Sequence, residues 1–123
     1  ALQITNILRD VKEDAMADRL YIPKEFLLKA NINSTSPSEV IVNKNLTTAR
    51  QELAQMAEYE FAKADKLIPL LDKKAARPVK AIRAIYRRYF DIMKNRGWEI
   101  ISPKPKISRL DKLSLAVRAY LSR

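Results

Sequence analysis

Glycine occurs only once in the 123 residues of this chain, at position 97, and proline occurs six times. Tight turns between β-strands commonly need glycine, because their backbone conformations are unfavourable for other residues. The long stretches without glycine or proline instead carry apolar residues three and four positions apart, which is the spacing of one face of an α-helix. The sequence therefore predicts an all-α fold of about five helices in a single domain.

Prolines, the glycine and short polar segments mark where these helices begin and end. We predict an opening helix at residues 1–18, short helices at 23–29 and from Ser36, a long helix from 47 or 48 to about 71, a helix starting at Pro78 and ending at Gly97, and a last helix capped by Ser108 and Asp111. Ser36 and Glu39 have the spacing of a capping box. The helical stripes predict inward-facing residues, which are Leu53, Met56, Ala57, Glu60, Ala64, Leu67, Ile68, Leu71, Val79, Ile82, Tyr86, Tyr89, Met93, Leu113, Val117, Tyr120 and Leu121.

The opening helix has a polar stripe beside an apolar one. At about 100° per residue, the polar stripe contains Gln3, Asn6, Asp10 and Asp14. The spacing places the two carboxylates on one face, about a turn apart. Thr5, Arg9 and Lys12 fall on the far side, while Ile4, Leu8, Val11 and Ala15 form the apolar stripe. This arrangement predicts that the carboxylates face an enclosed cavity.

Paired carboxylates in a cavity repel each other unless a cation binds between them. Mg²⁺ suits this position, since it uses one or two carboxylates, keeps several waters and completes its shell with phosphate oxygens. An acidic pair on a helix is more often a solvated surface. The amides at matching positions favour the metal site, but the solvated face stays open as an alternative.

The residues that are absent restrict the chemistry. The chain has no Cys and no His, which excludes disulfides, Cys-ligated zinc and Ser-His or Cys-His nucleophiles within it. Charge is uneven: residues 1–62 have a net charge of −2 and residues 63–123 have +12. A basic half indicates an anionic partner, such as a diphosphate, an acidic membrane surface or a nucleic acid. Basic residues on solvated helix faces would produce the same balance.

Two regions of the chain are similar to a known family. The first is Gln3-x-x-Asn6-Ile7-Leu8-Arg9-Asp10-x-x-Glu13-Asp14, followed by Arg19-Leu20-Tyr21-Ile22-Pro23. The second comprises Tyr86-Arg87-Arg88-Tyr89, Arg96-Gly97-Trp98 and residues 107–113. Together they resemble the squalene/phytoene synthase family, the head-to-head trans-prenyl diphosphate synthases, and the first region resembles its second aspartate-rich motif. Within the family, the resemblance is closest to the bacterial presqualene diphosphate synthases.

The resemblance implies the C-terminal part of an isoprenoid-synthase helical bundle. It implies a prenyltransferase that joins two farnesyl diphosphates into presqualene diphosphate or squalene, by Mg²⁺-assisted ionisation of the diphosphate. The implied metal ligands are Asp10, Asp14 and Glu13, with Asp10 and Asp14 as the catalytic pair. The implied substrate-binding residues are Gln3, Asn6, Arg19, Tyr21 and Tyr86. NADPH would be needed only for squalene as the product. Ile7, Leu8 and Val11 are expected to line an apolar tunnel.

Members of this family carry another aspartate-rich helix earlier in the chain, and these 123 residues do not contain it. We therefore expect residues 1–123 to be the C-terminal portion of one synthase domain, inactive alone, sharing two or three Mg²⁺ ions with an N-terminal half. The expected location is the cytoplasm, with peripheral binding to the inner membrane surface left open. The alternatives are a phytoene synthase using geranylgeranyl diphosphate, a noncatalytic relative acting in binding or assembly, and a basic nucleic-acid-binding domain. The acidic, amide-bearing helix makes nucleic acid the weakest of these.

Overall fold

The computed structural model describes residues 1–122 of the chain, and these form seven α-helices, one 3₁₀ turn and no β-strand. The all-α prediction is confirmed. The helices are α1 (Leu2–Arg9), α2 (Val11–Met16), α3 (Lys24–Lys29), α4 (Pro37–Val40), α5 (Leu46–Leu67), α6 (Lys73–Arg96) and α7 (Arg109–Leu121), with the 3₁₀ turn at Ile68–Leu70 between α5 and α6.

The opening segment is two helices where the sequence predicted one. Asp10 has φ −102° and ψ 11°, which interrupts the helical hydrogen-bond ladder between α1 and α2. The segment ends at Asp18, whose φ of 59° lies in the left-handed region that Asp tolerates better than most residues. This turn lets the Arg19 N–H donate to the Asp14 carbonyl over 2.7 Å, so Arg19 folds back towards the acidic helix.

The start of α4 differs from its prediction. Ser36 occupies the N-cap position, but its side chain caps no backbone N–H. Glu39 instead accepts a hydrogen bond from the Ser34 hydroxyl, outside the helix. The predicted capping box is therefore wrong, because the Glu39 carboxylate binds the Ser34 hydroxyl and not the backbone N–H of Ser36.

The start of α6 was also predicted in the wrong place. The helix begins at Lys73, so Pro78 lies inside it. Asp72 provides the start, since its Oδ1 accepts a hydrogen bond from the Ala75 N–H at 2.8 Å. The other end follows the prediction, because Gly97 ends α6 with a φ of 101°. Helix α5 ends at Leu67, a turn earlier than predicted, and Pro69 lies in the 3₁₀ turn that follows it.

The core lies where α1, α5 and α6 meet. The rings of Phe61 on α5 and Phe90 on α6 pack edge to face, with centroids 5.5 Å apart, and the indole of Trp98 lies 5.4 Å from Phe90. Leu8 and Val11 are buried in the same core. Thr5, which was predicted on the far side of the opening helix from the carboxylates, is buried as well. With these residues turned inward, Asp10 and Asp14 are left on the accessible side.

Several predicted core residues are exposed. Helix α7 packs along α6, but none of its residues is buried. Within residues 1–122 nothing covers the outer apolar sides of these helices, so the helical spacing was right and the burial was not. The predicted core residues that are exposed are Met56, Leu67, Leu71, Val79, Ile82, Leu113, Val117, Tyr120 and Leu121. Among the described residues, none of the helices is both long and apolar enough to cross a lipid bilayer.

Candidate functional site

The polar stripe of the opening segment lines a depression of about 260 Å³. The turn after α2 forms its other wall. The residues around it are Gln3, Asn6, Ile7, Asp10, Asp14, Arg19 and Tyr21. Six residues predicted to bind metal or substrate therefore lie together. The depression is open where an enclosed cavity was predicted, since Gln3, Arg19 and Tyr21 are exposed to solvent.

The break at Asp10 leaves the two carboxylates on the same depression. Asp10 is joined to both helices, since its N–H donates to the Asn6 carbonyl at 2.9 Å and its carbonyl accepts the Asp14 N–H at 2.8 Å. Hydrogen bonds with i to i+4 spacing thus continue on both sides of Asp10. The four-residue spacing therefore still places Asp10 and Asp14 on the same side of the segment, although the helix is interrupted at Asp10.

Arg9 lies beside Asp10, which corrects its predicted place on the far side of the helix. Its Nε is 2.9 Å from Asp10 Oδ1 and its Nη2 is 3.1 Å from Oδ2. The hydrogen bonds that Arg9 donates to the Asp10 carboxylate raise the pKa of Arg9, against the effect of burial. The guanidinium also lies 4.9 Å from the ring centroid of Tyr89. Two carboxylate oxygens offer about four acceptor positions, so this pairing leaves Asp10 able to accept another ligand.

The surroundings of Asp14 raise the pKa of its carboxyl group. Burial raises its pKa, and the charges of Asp10 and Glu13 raise it further. The charges of Arg19 and Arg9 act in the opposite direction. An ionised Asp14 is thus held at some cost beside another carboxylate, and a cation bound to both would relieve that cost.

The donor set fits Mg²⁺ and includes an unused ligand. Asn6 Oδ1 is buried and has no hydrogen-bond partner among the described residues, so it is free to accept from a water or to bind a cation. Carboxylate and amide oxygens are the ligands that Mg²⁺ prefers. Within residues 1–122, however, no three acidic side chains cluster to hold a metal ion. This part of the chain therefore carries two of the acidic side chains that a divalent-cation site would need, Asp10 and Asp14.

Other predicted site residues lie elsewhere. Glu13 is exposed and does not line the depression. Tyr86 is half-buried on α6, where it packs against the core with its ring 6.5 Å from that of Tyr89, and it too is outside the lining. Of the predicted tunnel residues, Ile7 lines the depression, whereas Leu8 and Val11 belong to the core. The predicted roles of Glu13 and Tyr86 remain predictions.

Arg50 on α5 is a buried polar residue that was not predicted from the sequence. Its side chain is buried and donates hydrogen bonds to the carbonyls of Leu8, Trp98 and Ile100. A signal was present in the sequence: Arg50 lies at helical spacing between Leu46 and Leu53, on the inward face of α5. A charged residue in an apolar stripe indicates a buried polar contact.

Comparison with known proteins gives a consistent result. The family model described as squalene/phytoene synthase matches residues 1–111. A presqualene diphosphate synthase of Sinorhizobium fredii is 37% identical over 121 residues, which cover 98% of this chain and 43% of that protein. The presqualene diphosphate synthase of Rhodopseudomonas palustris is 35% identical, covering 96% and 42%. A 15-cis-phytoene synthase of Synechococcus elongatus is 29% identical, covering 92% and 37%.

A solved structure of a dehydrosqualene synthase in complex with a ligand is similar as well. Its TM-score is 0.73 at 27% sequence identity, over 96% of this chain and 42% of that one. The chain thus spans about two fifths of the length of these relatives. The sequence match extends from the opening acidic segment into α7, so it includes every element of the site described above. The chain belongs to the squalene/phytoene synthase family of prenyltransferases.

Proposed function

We propose that the protein carrying this chain joins two prenyl diphosphates head to head, with Mg²⁺ assisting departure of the diphosphate. The observation that carries the proposal is the depression in which Asp10 and Asp14 lie together with Asn6 and Arg19. Carboxylates to hold a divalent cation and a guanidinium to meet phosphate oxygens are the groups that binding of a metal diphosphate requires.

Farnesyl diphosphate is the proposed substrate and presqualene diphosphate the proposed product. The support is the order of similarity: two proteins named presqualene diphosphate synthase are 37% and 35% identical to this chain, and a 15-cis-phytoene synthase is 29% identical. Geranylgeranyl diphosphate, giving phytoene, is the second candidate on the same grounds.

In this proposal the chain's own residues bind and orient the diphosphate end of the substrate. Asp10 and Asp14 provide oxygen ligands, and Asn6 Oδ1 and Gln3 orient a water or phosphate oxygen. Arg19, exposed at the rim, provides a positive charge for the diphosphate. Mg²⁺ held by these residues would supply positive charge to neutralise the diphosphate as the carbon–oxygen bond breaks. No histidine is needed, because the departed diphosphate can accept the proton.

The remaining metal ligands are proposed to come from residues outside this chain. The described residues provide two of the acidic ligands at one depression, and no cluster of three. By its family resemblance, the complete enzyme carries a second aspartate-rich helix facing this one. Two or three Mg²⁺ ions would then be shared between the two helices.

The test is product formation by the full-length protein carrying this chain, with each prenyl diphosphate and with or without Mg²⁺. Asp10→Asn and Asp14→Asn should each lower turnover by orders of magnitude while the circular dichroism spectrum is unchanged. Asp18→Asn is the matched control, because Asp18 is exposed, lies outside the depression and has a left-handed backbone that Asn also adopts. Near-normal turnover of Asp10→Asn and Asp14→Asn at saturating Mg²⁺ would overturn the proposal.

A further inference from the structure

The most unusual buried group outside the depression is the guanidinium of Arg50. The residue is 1% exposed, and it forms no ion pair with any carboxylate among the described residues. Its Nη2 donates to the Leu8 carbonyl at 2.9 Å, and its Nη1 donates to the carbonyls of Ile100, at 3.1 Å, and Trp98. The guanidinium also lies 5.6 Å from the Trp98 ring centroid.

Packing alone does not account for an arginine at this position. Removal of a cation from water is unfavourable, and an apolar side chain of similar volume would fill the same space at lower cost. Burial lowers the pKa of Arg50 to about 10, which leaves it charged at neutral pH. Its Nε is buried without a partner as well. The guanidinium is stabilised at this position by its hydrogen bonds to the three carbonyls.

Those carbonyls belong to two segments of the chain, the end of α1 and the turn after α6. Leu8 is in the last turn of α1, two residues before Asp10, where helix carbonyls lose their helical partners and carry partial negative charge. Trp98 and Ile100 belong to the turn after Gly97. A second contact ties the same turn to the other side of Asp10, since Lys12 Nζ lies 3.1 Å from Ser102 Oγ.

We infer that Arg50 is a positioning residue for the Asp10 carboxylate. It holds the end of α1 against the turn at residues 98–102, so that the chain leaves the helix at Asp10 and still directs Asp10 and Asp14 into one depression. The inference rests on the proposed function only in taking that depression as a divalent-cation site. Arg50 itself lines no part of it.

If Arg50 only stabilised the core, its substitution would affect cation binding no more than substitution of another core residue does. A matched core variant therefore distinguishes a positioning role from a purely stabilising one. Leu53→Ala removes another side chain of α5 that is 1% exposed and that touches neither Leu8 O nor the 98–102 turn by hydrogen bonds. Both Arg50→Met and Leu53→Ala should lower the thermal unfolding temperature. Only Arg50→Met should disturb cation binding, because only it releases the end of α1.

The experiment measures Mn²⁺ binding by electron paramagnetic resonance, on the full-length protein and at a temperature where every variant is folded. Arg50→Met should weaken Mn²⁺ binding by about tenfold, the lower end of the loss that follows removal of a group hydrogen-bonded to a metal ligand, because Arg50 acts on Asp10 through the Leu8 carbonyl. Leu53→Ala should leave Mn²⁺ binding unchanged. Arg50→Lys keeps the charge but loses the planar fork that reaches several carbonyls, so it should also bind weakly. Arg50→Gln replaces Arg50→Met if that variant does not fold, with the same expected loss.

Equal effects of Arg50→Met and Leu53→Ala on Mn²⁺ binding, or no effect of either, would overturn the inference and leave the proposed function intact. Wild-type protein that binds no Mn²⁺ would overturn both. Wild-type binding that is lost in Asp10→Asn and weakened in Arg50→Met supports both together.

Discussion

At the scale of single residues, the raised pKa of Asp14 makes the stability of the metal-free protein depend on pH. Its pKa is raised in the folded protein by burial and by Asp10, so the folded state binds this proton more tightly than the unfolded state does. That contribution to stability is present at pH values below the unfolded pKa, and it is lost as the pH rises through the folded pKa. At neutral pH the ionised Asp14 therefore disfavours folding.

Asp14→Asn should consequently raise the thermal unfolding temperature of the metal-free protein at pH 7. The gain in free energy of unfolding should be below about 1 kcal/mol, because solvent screens the repulsion at this open site. Added Mg²⁺ should stabilise the wild type and have little effect on the variant, since ligands that bind only the folded state stabilise it. Thermal melts with and without MgCl₂ test this, with Asp18→Asn as the control. A metal-free variant that melts lower than wild type would contradict the account.

The residues of the site were predictable to the extent that local spacing determines them. Gln3, Asn6, Asp10 and Asp14 share a face because the helical repeat places them there, whatever the rest of the molecule does. The pairing of Arg9 with Asp10 depends on a side-chain rotamer and on the position of Tyr89, which come from packing. Tertiary contacts of this kind cannot be predicted from the helical spacing of residues in the sequence.

At the scale of elements, the packing of α5 on α6 depends on Phe90. It is fully buried, with the rings of Phe61 and Trp98 both against it. Phe90→Ala should lower the free energy of unfolding by about 3–5 kcal/mol, from lost apolar burial and the cavity left behind. Urea denaturation measures the change. Met56→Ala, on the exposed side of α5, is the control and should change it by less than about 0.5 kcal/mol. A Phe90→Ala loss as small as that of the control would contradict this packing.

The first two turns of α6 provide a test in the opposite direction. Pro78 lies in the helix and has no N–H to donate to the carbonyl four residues earlier. Pro78→Ala should therefore stabilise the protein, by about 1–3 kcal/mol after the greater freedom of the unfolded chain is allowed for. The exposed neighbour Arg77 offers the control substitution Arg77→Ala. Destabilisation by Pro78→Ala in urea titrations would show that the proline is required by the helix geometry.

Helix boundaries were predictable where one residue type controls them and unpredictable where two signals compete. Gly97 ends α6 as expected, because a φ of 101° is readily adopted only by glycine. Pro78 predicts a helix start, but the Asp72 side chain caps the helix at an earlier position. A cap that satisfies a free N–H stabilises a helix from its own position, and this outweighed the proline signal.

At the scale of the whole molecule, the chain presents apolar faces that its own residues do not cover. Leu113 is 61% exposed, Val79 is 41% exposed, and both lie on helices whose other sides are packed. Their helical periodicity predicted burial, since a sequence pattern shows that a face is apolar without showing what covers it. The relatives are more than twice as long as this chain. The sequence therefore predicted which helix faces are apolar, but not whether residues of this chain bury them.

The 123-residue chain on its own should therefore show no synthase activity. It offers two carboxylates at the depression, and no cluster of three acidic residues within residues 1–122. The assay is incubation with farnesyl diphosphate and Mg²⁺, followed by identification of products, beside the full-length protein as the positive control. Formation of presqualene diphosphate by the 123-residue chain would contradict the shared-site proposal.

The central claim is that Asp10 and Asp14 together bind a divalent cation. Anomalous diffraction from crystals of the full-length protein soaked in Mn²⁺ tests it most directly. The account predicts an anomalous peak within about 2.2 Å of oxygens from both carboxylates, the distance at which such cations bind oxygen. A fully occupied Mn²⁺ site elsewhere, with no peak at Asp10 and Asp14, would contradict it.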